Sequence, residues 1–326
     1  MADFEEGSTP SISNFDTAIA GQTNAFFLPE VYSKKVQNFF RKASVVEAIT
    51  NTDYSGEIAA FGDTVNIIKE PTITTYDYTR GSDTTQTLLT DQELTMVVDQ
   101  ARAFKFIVDD IEKRMSHVNW KEVASGSAAY ALKDQMDSNV LTYISSNASA
   151  ASPDMVIGAD DATADDLPNL GADESVHIGF STGTSDPIDL LSRMARLLDE
   201  QNVPEENRWF VASPEFYEVL SESSSKLLSV DYNAGAGSIR NGLVTSGLLR
   251  GFKMYKSNNM PAGANSSIAL AGHISSVATA GTMLNVETLR DPTSFGDIVR
   301  GLHVYGRKVL RPEALVKAFW NTTSDA

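Results

Sequence analysis

Hydrophobic and polar residues alternate along residues 62–108, and this period of two predicts β-strands. Apolar side chains occupy every second position in Thr64–Ile67 and again from Leu94 to Val97. Two such arms around a turn at Gly81-Ser82-Asp83 predict a long antiparallel hairpin whose second arm includes Ala103–Val108. Arms of roughly twenty residues span about 60 Å, whereas a compact chain of this length has a radius of gyration of about 20 Å. We therefore expect the hairpin to project from the body and to need a neighbour, since an isolated two-stranded ribbon is only marginally stable.

A helical period follows the hairpin. After a short helical turn opened by Asp109-Asp110, apolar residues spaced by four predict a helix over residues 120–146, about 42 Å long, which would form a spine. Its predicted inward stripe is Ala124, Ala128, Leu132, Met136 and Val140, widened by Val123, Ala131 and Ile144. A second amphipathic helix begins with Asp186 as N-cap and Pro187 at its first position.

The remaining segments predict an α+β protein. Residues 1–25 are polar and predict an arm, followed by a helix from Phe26-Phe27-Leu28-Pro29 to Ala43. Residues 149–183 are rich in Ala, Ser, Asp and Gly and mark the best internal boundary. His273–Ala280 is predicted as a short helix. The other apolar runs are predicted strands: Arg208–Ala212, Gly251–Ser257, Ser267–Leu270, Met283–Leu289, Val299–Leu310 and Leu315–Trp320.

Composition narrows the classes of function. The 326-residue chain has a formal net charge of −17 and a pI near 4.6. Such a chain as a whole lacks the Lys and Arg excess that displaces counterions from nucleic acid. It has no cysteine, which excludes a disulfide framework. No apolar run approaches the ~18 residues of a membrane helix. The acidic N-terminus does not resemble a secretory signal.

Candidate chemistry is sparse, so we predict no catalytic, cofactor-binding or metal-ligating residue, no cofactor, and no enzymatic activity. The four histidines, His117, His177, His273 and His303, have no second ligand three or four residues away. The acids Asp160, Asp161, Asp165 and Asp166 lack the glycine and closing glutamate of a calcium loop. Gly235-Ala236-Gly237 lacks the Lys-Ser/Thr pair of a phosphate loop. A Ser-His-Asp triad assembled in space leaves no sequence signature, so a soluble hydrolase stays an alternative.

Three segments resemble the major capsid proteins of tailed bacteriophages with the Hong Kong 97-type fold. Phe106–Glu112 leading to Ala131–Asp137 resembles the junction between extended loop and spine helix. Gly251–Pro261 is similar to a strand and turn of the axial domain, and Asp297–Gly306 with Arg311–Leu315 is similar to the return into the peripheral domain. The order of segments from about Ala25 onward matches that family.

The resemblance implies an architecture of N-arm, extended β-hairpin loop, long spine helix, peripheral domain and axial domain. We expect residues 1–43 to be the arm and first helix, 44–108 the extended loop with flanking strands, and 109–183 the spine helix and peripheral domain. The axial domain is then 184–297, and 298–326 holds return strands of the peripheral domain.

The resemblance also implies a function: self-assembly as hexamers and pentamers into an icosahedral shell that encloses double-stranded DNA without sequence-specific binding. It implies a portal, possible separate scaffolding and decoration proteins, no membrane, and a location in the virion after assembly in the host cytoplasm. A nanocompartment shell of the encapsulin type, which shares the fold, is the first alternative. We predict self-assembly contacts at Phe26, Phe27, Tyr76, Tyr78 and Arg80.

Overall fold

The structure, a computed structural model, describes residues 42, 44–54, 64–69, 73, 75–77, 80–81, 92–115, 120–148, 155–158, 175–180, 184–222, 248–263 and 266–322. The helices there are α1 (Val46–Ile49), α2 (Asp110–Met115), α3 (Trp120–Asn147), α4 (Pro187–Glu200) and α5 (Pro214–Leu220). The strands are β1 (Thr64–Lys69), β2 (Gln92–Val97), β3 (Gln100–Asp109), β4 (Val156–Ile157), β5 (Val176–His177), β6 (Arg208–Ala212), β7 (Lys253–Lys256), β8 (Ser267–His273), β9 (Val277–Arg290), β10 (Gly296–Val309) and β11 (Leu315–Asn321).

The predicted starts of two helices are confirmed by their local hydrogen bonds. The Asp186 carboxylate accepts a hydrogen bond from the Ile188 amide at 2.9 Å, and Pro187 follows as the first residue of α4. The Asp109 carboxylate likewise accepts from the Ile111 amide at 2.8 Å where α2 begins. Each carboxylate satisfies an amide at a helix start that has no partner within the helix.

A mixed sheet forms the larger core, with strand order β4-β11-β8-β6-β7 and β5 also paired with β11. All five residues of β6 are buried, and the apolar run Trp209–Ala212 predicts this for the last four. Because successive side chains point to opposite faces, Phe210 and Ala212 pack in the cluster that includes α4 and α5. Trp209 and Val211 pack on the other face, in the cluster that includes α1 and the second half of α3.

A second, three-stranded antiparallel sheet has the order β3-β10-β9. Near its base one face packs toward α3, where Tyr305 and Val277 join the same cluster as Val140 and Ile144. The opposite face of the base carries the ribbon of β1 and β2, whose Val65, Met96 and Val98 contact Ala278, Ala280 and Val304. The long strands thus lie between spine helix and ribbon.

The hairpin prediction is correct in its base and wrong in its second arm. β1 and β2 pair over six residues, from Thr64 opposite Val97 to Lys69 opposite Gln92, as the alternation predicts. The segment Ala103–Val108 belongs to β3, which pairs with β10 instead. The alternating pattern of β3 fits either partner, and only the packing of distant β10 against it decided between them.

Two further expectations are corrected. Only Ile274–Ser276 forms a short 3-10 turn where a helix over His273–Ala280 was predicted, because β9 begins at Val277 and pairs with β10. The predicted inward stripe of α3 is buried only from Leu132 onward, at Leu132, Val140 and Ile144, with Met136 partly buried. Val123, Ala124 and Ala128 are half-buried and Ala131 is exposed.

The predicted division of the chain into five segments stays a prediction. The three-stranded sheet draws its strands from three of those segments, since β3 falls almost wholly within 44–108, β9 within 184–297 and β10 almost wholly within 298–326. Apart from Lys42, the predicted helix over Phe26–Ala43 lies outside the described residues, and so does most of the predicted boundary over 149–183.

Candidate self-assembly surfaces

The distal part of the hairpin exposes the predicted contact residues that the structure describes. The Tyr76 side chain is 55% exposed. Arg80 is exposed in a turn with Gly81, whose φ of +90° is a backbone conformation that favours glycine. Ile73 nearby is 68% exposed. The other predicted contact residues, Phe26, Phe27 and Tyr78, lie outside the described residues.

The base of this hairpin is fixed by close packing. Met96 and Val98 are fully buried against the three-stranded sheet. Gly306 of β10 lies under the ribbon so closely that a Cβ there would be 2.8 Å from the Val97 carbonyl oxygen and 3.2 Å from the Val98 Cα. Both obstacles are backbone atoms, which cannot rotate away. The ribbon therefore leaves the body from a rigid attachment.

A buried carboxylate holds the segment that precedes α1. Asp137 of α3 has no solvent exposure. Its Oδ1 accepts hydrogen bonds from the Val45 amide at 2.8 Å, the Val46 amide at 3.0 Å and the Ser44 hydroxyl at 3.0 Å. Backbone amides at the start of a helix carry partial positive charge and suit a carboxylate. Asp137 thus fixes where the chain from the N-terminus reaches the spine helix.

Asn259 joins the same polar cluster from the loop after β7. Its Nδ2 donates to Asp134 Oδ1 at 2.7 Å and to Asp137 Oδ2 at 3.2 Å. Its Oδ1 accepts from Lys42 Nζ at 2.8 Å. The cluster therefore connects the mixed sheet, the spine helix and the chain entering from the N-terminal side. A signal for it existed in the sequence, because Asp137 is an acid on the same helix face as Val140, Leu141 and Ile144.

An exposed apolar surface at the distal end of the three-stranded sheet was missed. Phe295, in the turn between β9 and β10, is 80% exposed, and Ile107 and Leu289 are also exposed. The alternation of β3 and β9 does not indicate which face of the sheet is exposed to solvent. An aromatic residue inside the turn Asp291-Pro292-Thr293-Ser294-Phe295-Gly296 was the one available signal.

In the described part of the chain, no group of three or more His, Cys, Asp or Glu side chains could hold a metal ion. Burial lowers the pKa of both His273 and His303. His117 and the acids Asp160, Asp161, Asp165 and Asp166 lie outside the described residues. Among the helices that are described, none is long and apolar enough to cross a membrane.

Comparison with known proteins agrees with this architecture. The family model described as phage capsid protein matches residues 93–318. No curated protein matches the sequence. A structure from Mycobacterium phage Che8 is 26% identical, with a TM-score of 0.66 over 92% of this chain and 98% of that chain. The capsid structure of the cyanophage P-SCSP1u shares the fold at 19% identity, with a TM-score of 0.66 over 91% of this chain and 94% of that chain.

The mature capsid of bacteriophage PhiM1 also shares the fold, at 16% identity and a TM-score of 0.62 over 91% of this chain and 93% of that chain. The family match takes in both sheets, from β2 to β11, and the structural matches extend over nearly the full length of both chains. The chain therefore belongs to the phage capsid protein family.

Proposed function

We propose that this chain is a major capsid protein that self-assembles as hexamers and pentamers into an icosahedral shell enclosing double-stranded DNA. The match to the phage capsid protein family over residues 93–318 supports this function. The same match favours a viral shell over the nanocompartment and hydrolase alternatives. The chain acts as a structural protein and not as an enzyme.

The main support for the mechanism of assembly is the geometry of the hairpin, which has a buried base and an exposed distal part. Its base is held rigidly by Met96, Val98 and Gly306, while Ile73, Tyr76 and Arg80 beyond the base are exposed. A rigid base keeps the conformational cost of placing the tip low, and apolar groups at the tip gain by burial. In the proposed shell Tyr76, Tyr78 and Arg80 contact a neighbouring copy, and Phe26 and Phe27 of the arm contact another.

The net negative charge supports a shell protein rather than a sequence-specific DNA-binding protein. With a net charge of −17 the chain does not bind packaged DNA through its overall charge. We infer a portal partner, with scaffolding and decoration proteins as possible further partners, and assembly in the host cytoplasm. The five predicted segments are proposed as the arm, extended loop, spine with peripheral domain, axial domain and return strands.

A loop replacement tests the proposal. Lys69 and Gln92 are paired across the ribbon, so a two-residue Asn-Gly turn can connect them in place of residues 70–91. This keeps β1, β2 and their buried side chains, whereas a longer deletion reaching Gln100 would remove the pairing of β3 with Tyr305. We expect soluble folded subunits that form no shells.

Electron microscopy and analytical ultracentrifugation of the purified proteins give the result. The control replaces Tyr76 and Arg80 with serine in the full-length hairpin, which should form fewer shells without abolishing them. Normal shells from the loop replacement would reject the hairpin mechanism. A full-length protein that stays monomeric at every concentration and ionic strength would reject the shell function itself.

A further inference from the structure

An amine, an amide and two carboxylates meet where the chain from the N-terminus reaches the spine helix. Lys42 Nζ lies 2.8 Å from Asn259 Oδ1, although the two residues are 217 positions apart in the sequence. The Asn259 Nδ2 donates to Asp134 Oδ1 at 2.7 Å and to Asp137 Oδ2 at 3.2 Å. A lysine amine is a nucleophile toward carbonyl carbon. The contact therefore places a nucleophile beside a side-chain carbonyl group with which it can form an amide bond.

The hydrogen bonds fix the orientation of the Asn259 amide. An ammonium group only donates hydrogen bonds and an ionised carboxylate only accepts them. The carbonyl oxygen must therefore face Lys42, and the NH2 group must face Asp134 and Asp137. In this orientation the lysine polarises the carbonyl group, and the nitrogen that would leave lies against two groups able to accept and return protons.

The reacting groups are held in place by the fold. Asn259 is 8% exposed, and its backbone amide donates to Ser257 Oγ at 3.1 Å. Asp137 has no solvent exposure. On the other side, the Lys42 backbone amide donates to the Tyr130 hydroxyl at 2.8 Å. Groups positioned in this way react far faster than the same groups free in solution, and Nζ needs only to move from the amide oxygen to the adjacent carbon.

We propose that Lys42 and Asn259 form an isopeptide bond within one chain. Asp134 takes a proton from the Lys42 ammonium group, and the free amine attacks Asn259 Cγ. The Nζ–Cγ bond forms, the Cγ–Nδ2 bond breaks, and one further proton passes from Nζ to Nδ2 through the carboxylates. The nitrogen leaves as ammonia and takes up the proton held by Asp134, so no oxidant or reductant is needed. Lys42 is exposed, which gives the product a path to solvent.

The bond ties the segment before α1 to the loop after β7. It closes a covalent loop across 217 positions of the sequence, and closing a long loop restricts the unfolded chain. The chain has no cysteine and so no disulfide that could do the same. The inference is independent of the proposed function, because it needs the residues of a single chain only.

Intact-mass spectrometry of the purified full-length protein tests the bond. After subtraction of the substitution itself, we expect a mass lower by one ammonia than that of Lys42→Arg, which keeps the charge but has no lysine amine. Trypsin should give residues 42–69 linked to residues 257–290, with no cleavage after Lys42. Lys133→Arg is the matched control, because Lys133 forms an exposed ion pair with Glu47 and should leave the mass loss unchanged.

Asp134→Asn tests the proton transfer. It should slow the loss of ammonia about tenfold or more, while circular dichroism and thermal unfolding verify that the variant folds. A denaturing gel should show the linked protein as a monomer, and covalent dimers in its place would contradict a bond within one chain. Unmodified protein that keeps its full mass after prolonged incubation and after assembly overturns the proposal, as does a mass loss that persists in Lys42→Arg. Electron microscopy measures shell formation separately, so either result leaves the shell function standing.

Discussion

The buried carboxylate of Asp137 joins α3 to two distant segments of the chain. Its partners lie 91 to 122 residues away in the sequence, at Val46, Val45, Ser44 and Asn259. All four partners donate hydrogen bonds to it, and all are backbone amides or neutral side chains. Removing an acceptor that satisfies several buried donors leaves those donors without compensation for their lost hydration.

Asp137→Ala should lower the free energy of unfolding by about 2–4 kcal/mol, because it leaves buried amides at the start of α1 unpaired. Urea unfolding followed by circular dichroism measures the change. Glu47→Ala is the control, since its 3.0 Å ion pair with Lys133 is exposed and should contribute less than about 1 kcal/mol. Equal losses in the two variants would contradict this account of the buried cluster.

The burial of His303 predicts that the stability of the folded protein depends on pH. Burial lowers its pKa below the ordinary value of 6.5, and its ring stacks on Tyr305 at 5.5 Å between centroids. The unfolded chain therefore binds the proton more readily than the folded chain, and the folded state loses stability as pH falls below about 6.5. Between pH 7 and pH 5, His303→Phe should show a smaller loss in urea unfolding than the unmodified protein.

His273 needs its own variant, because burial lowers its pKa as well. A His273→Asn protein should keep the share of the pH dependence that belongs to His303. If His303→Phe retains the full slope while His273→Asn removes it, the assignment to His303 is wrong.

At the scale of elements, the ribbon depends on a close approach of backbones at Gly306. Gly306→Ala should cost about 1–3 kcal/mol and loosen the attachment of β1 and β2, because its Cβ would meet backbone atoms of Val97 and Val98. Hydrogen exchange in residues 92–98 should speed up, and shells should form poorly. The measurement is exchange detected by mass spectrometry.

Gly301→Ala on the same strand is the control for this variant. Its Cβ would meet the ring of Phe104, which is a half-buried side chain that can rotate. We expect a smaller loss of stability and unchanged exchange in residues 92–98. Unchanged exchange in Gly306→Ala itself would show that the ribbon is not anchored there.

At the scale of the whole molecule, a net charge of −17 opposes the association of copies. Exposed charges more than about 10 Å apart are screened at 0.1 M salt. We therefore expect shell assembly, followed by light scattering, to need less protein at about 0.5 M NaCl than at about 0.05 M. Sucrose at matched osmolality is the control. Assembly that weakens steadily with salt would mean that attractive ion pairs outweigh the net repulsion.

The sequence by itself determined the elements that depend on local chemistry. β6 follows from an unbroken apolar run, and α4 follows from the Asp186 cap and Pro187. The pairing of β1 with β2 also follows from sequence, since a slip of one residue would turn Val65 and Met96 away from the core. These features, and the position of the exposed hairpin, depend only on residues that are close in the sequence or separated by one turn.

Tertiary structure alone decided what depends on partners far apart in the sequence. β3 pairs with β10, which lies nearly two hundred residues further along the chain. β9 begins where a helix was predicted, and α3 is buried along only about half of its length. The Asp137 cluster and the exposure of Ile107 and Leu289 at the distal end of the three-stranded sheet arise in the same way. A periodic pattern states which side chains share a face, but whether another element covers that face depends on packing between segments that no local pattern encodes.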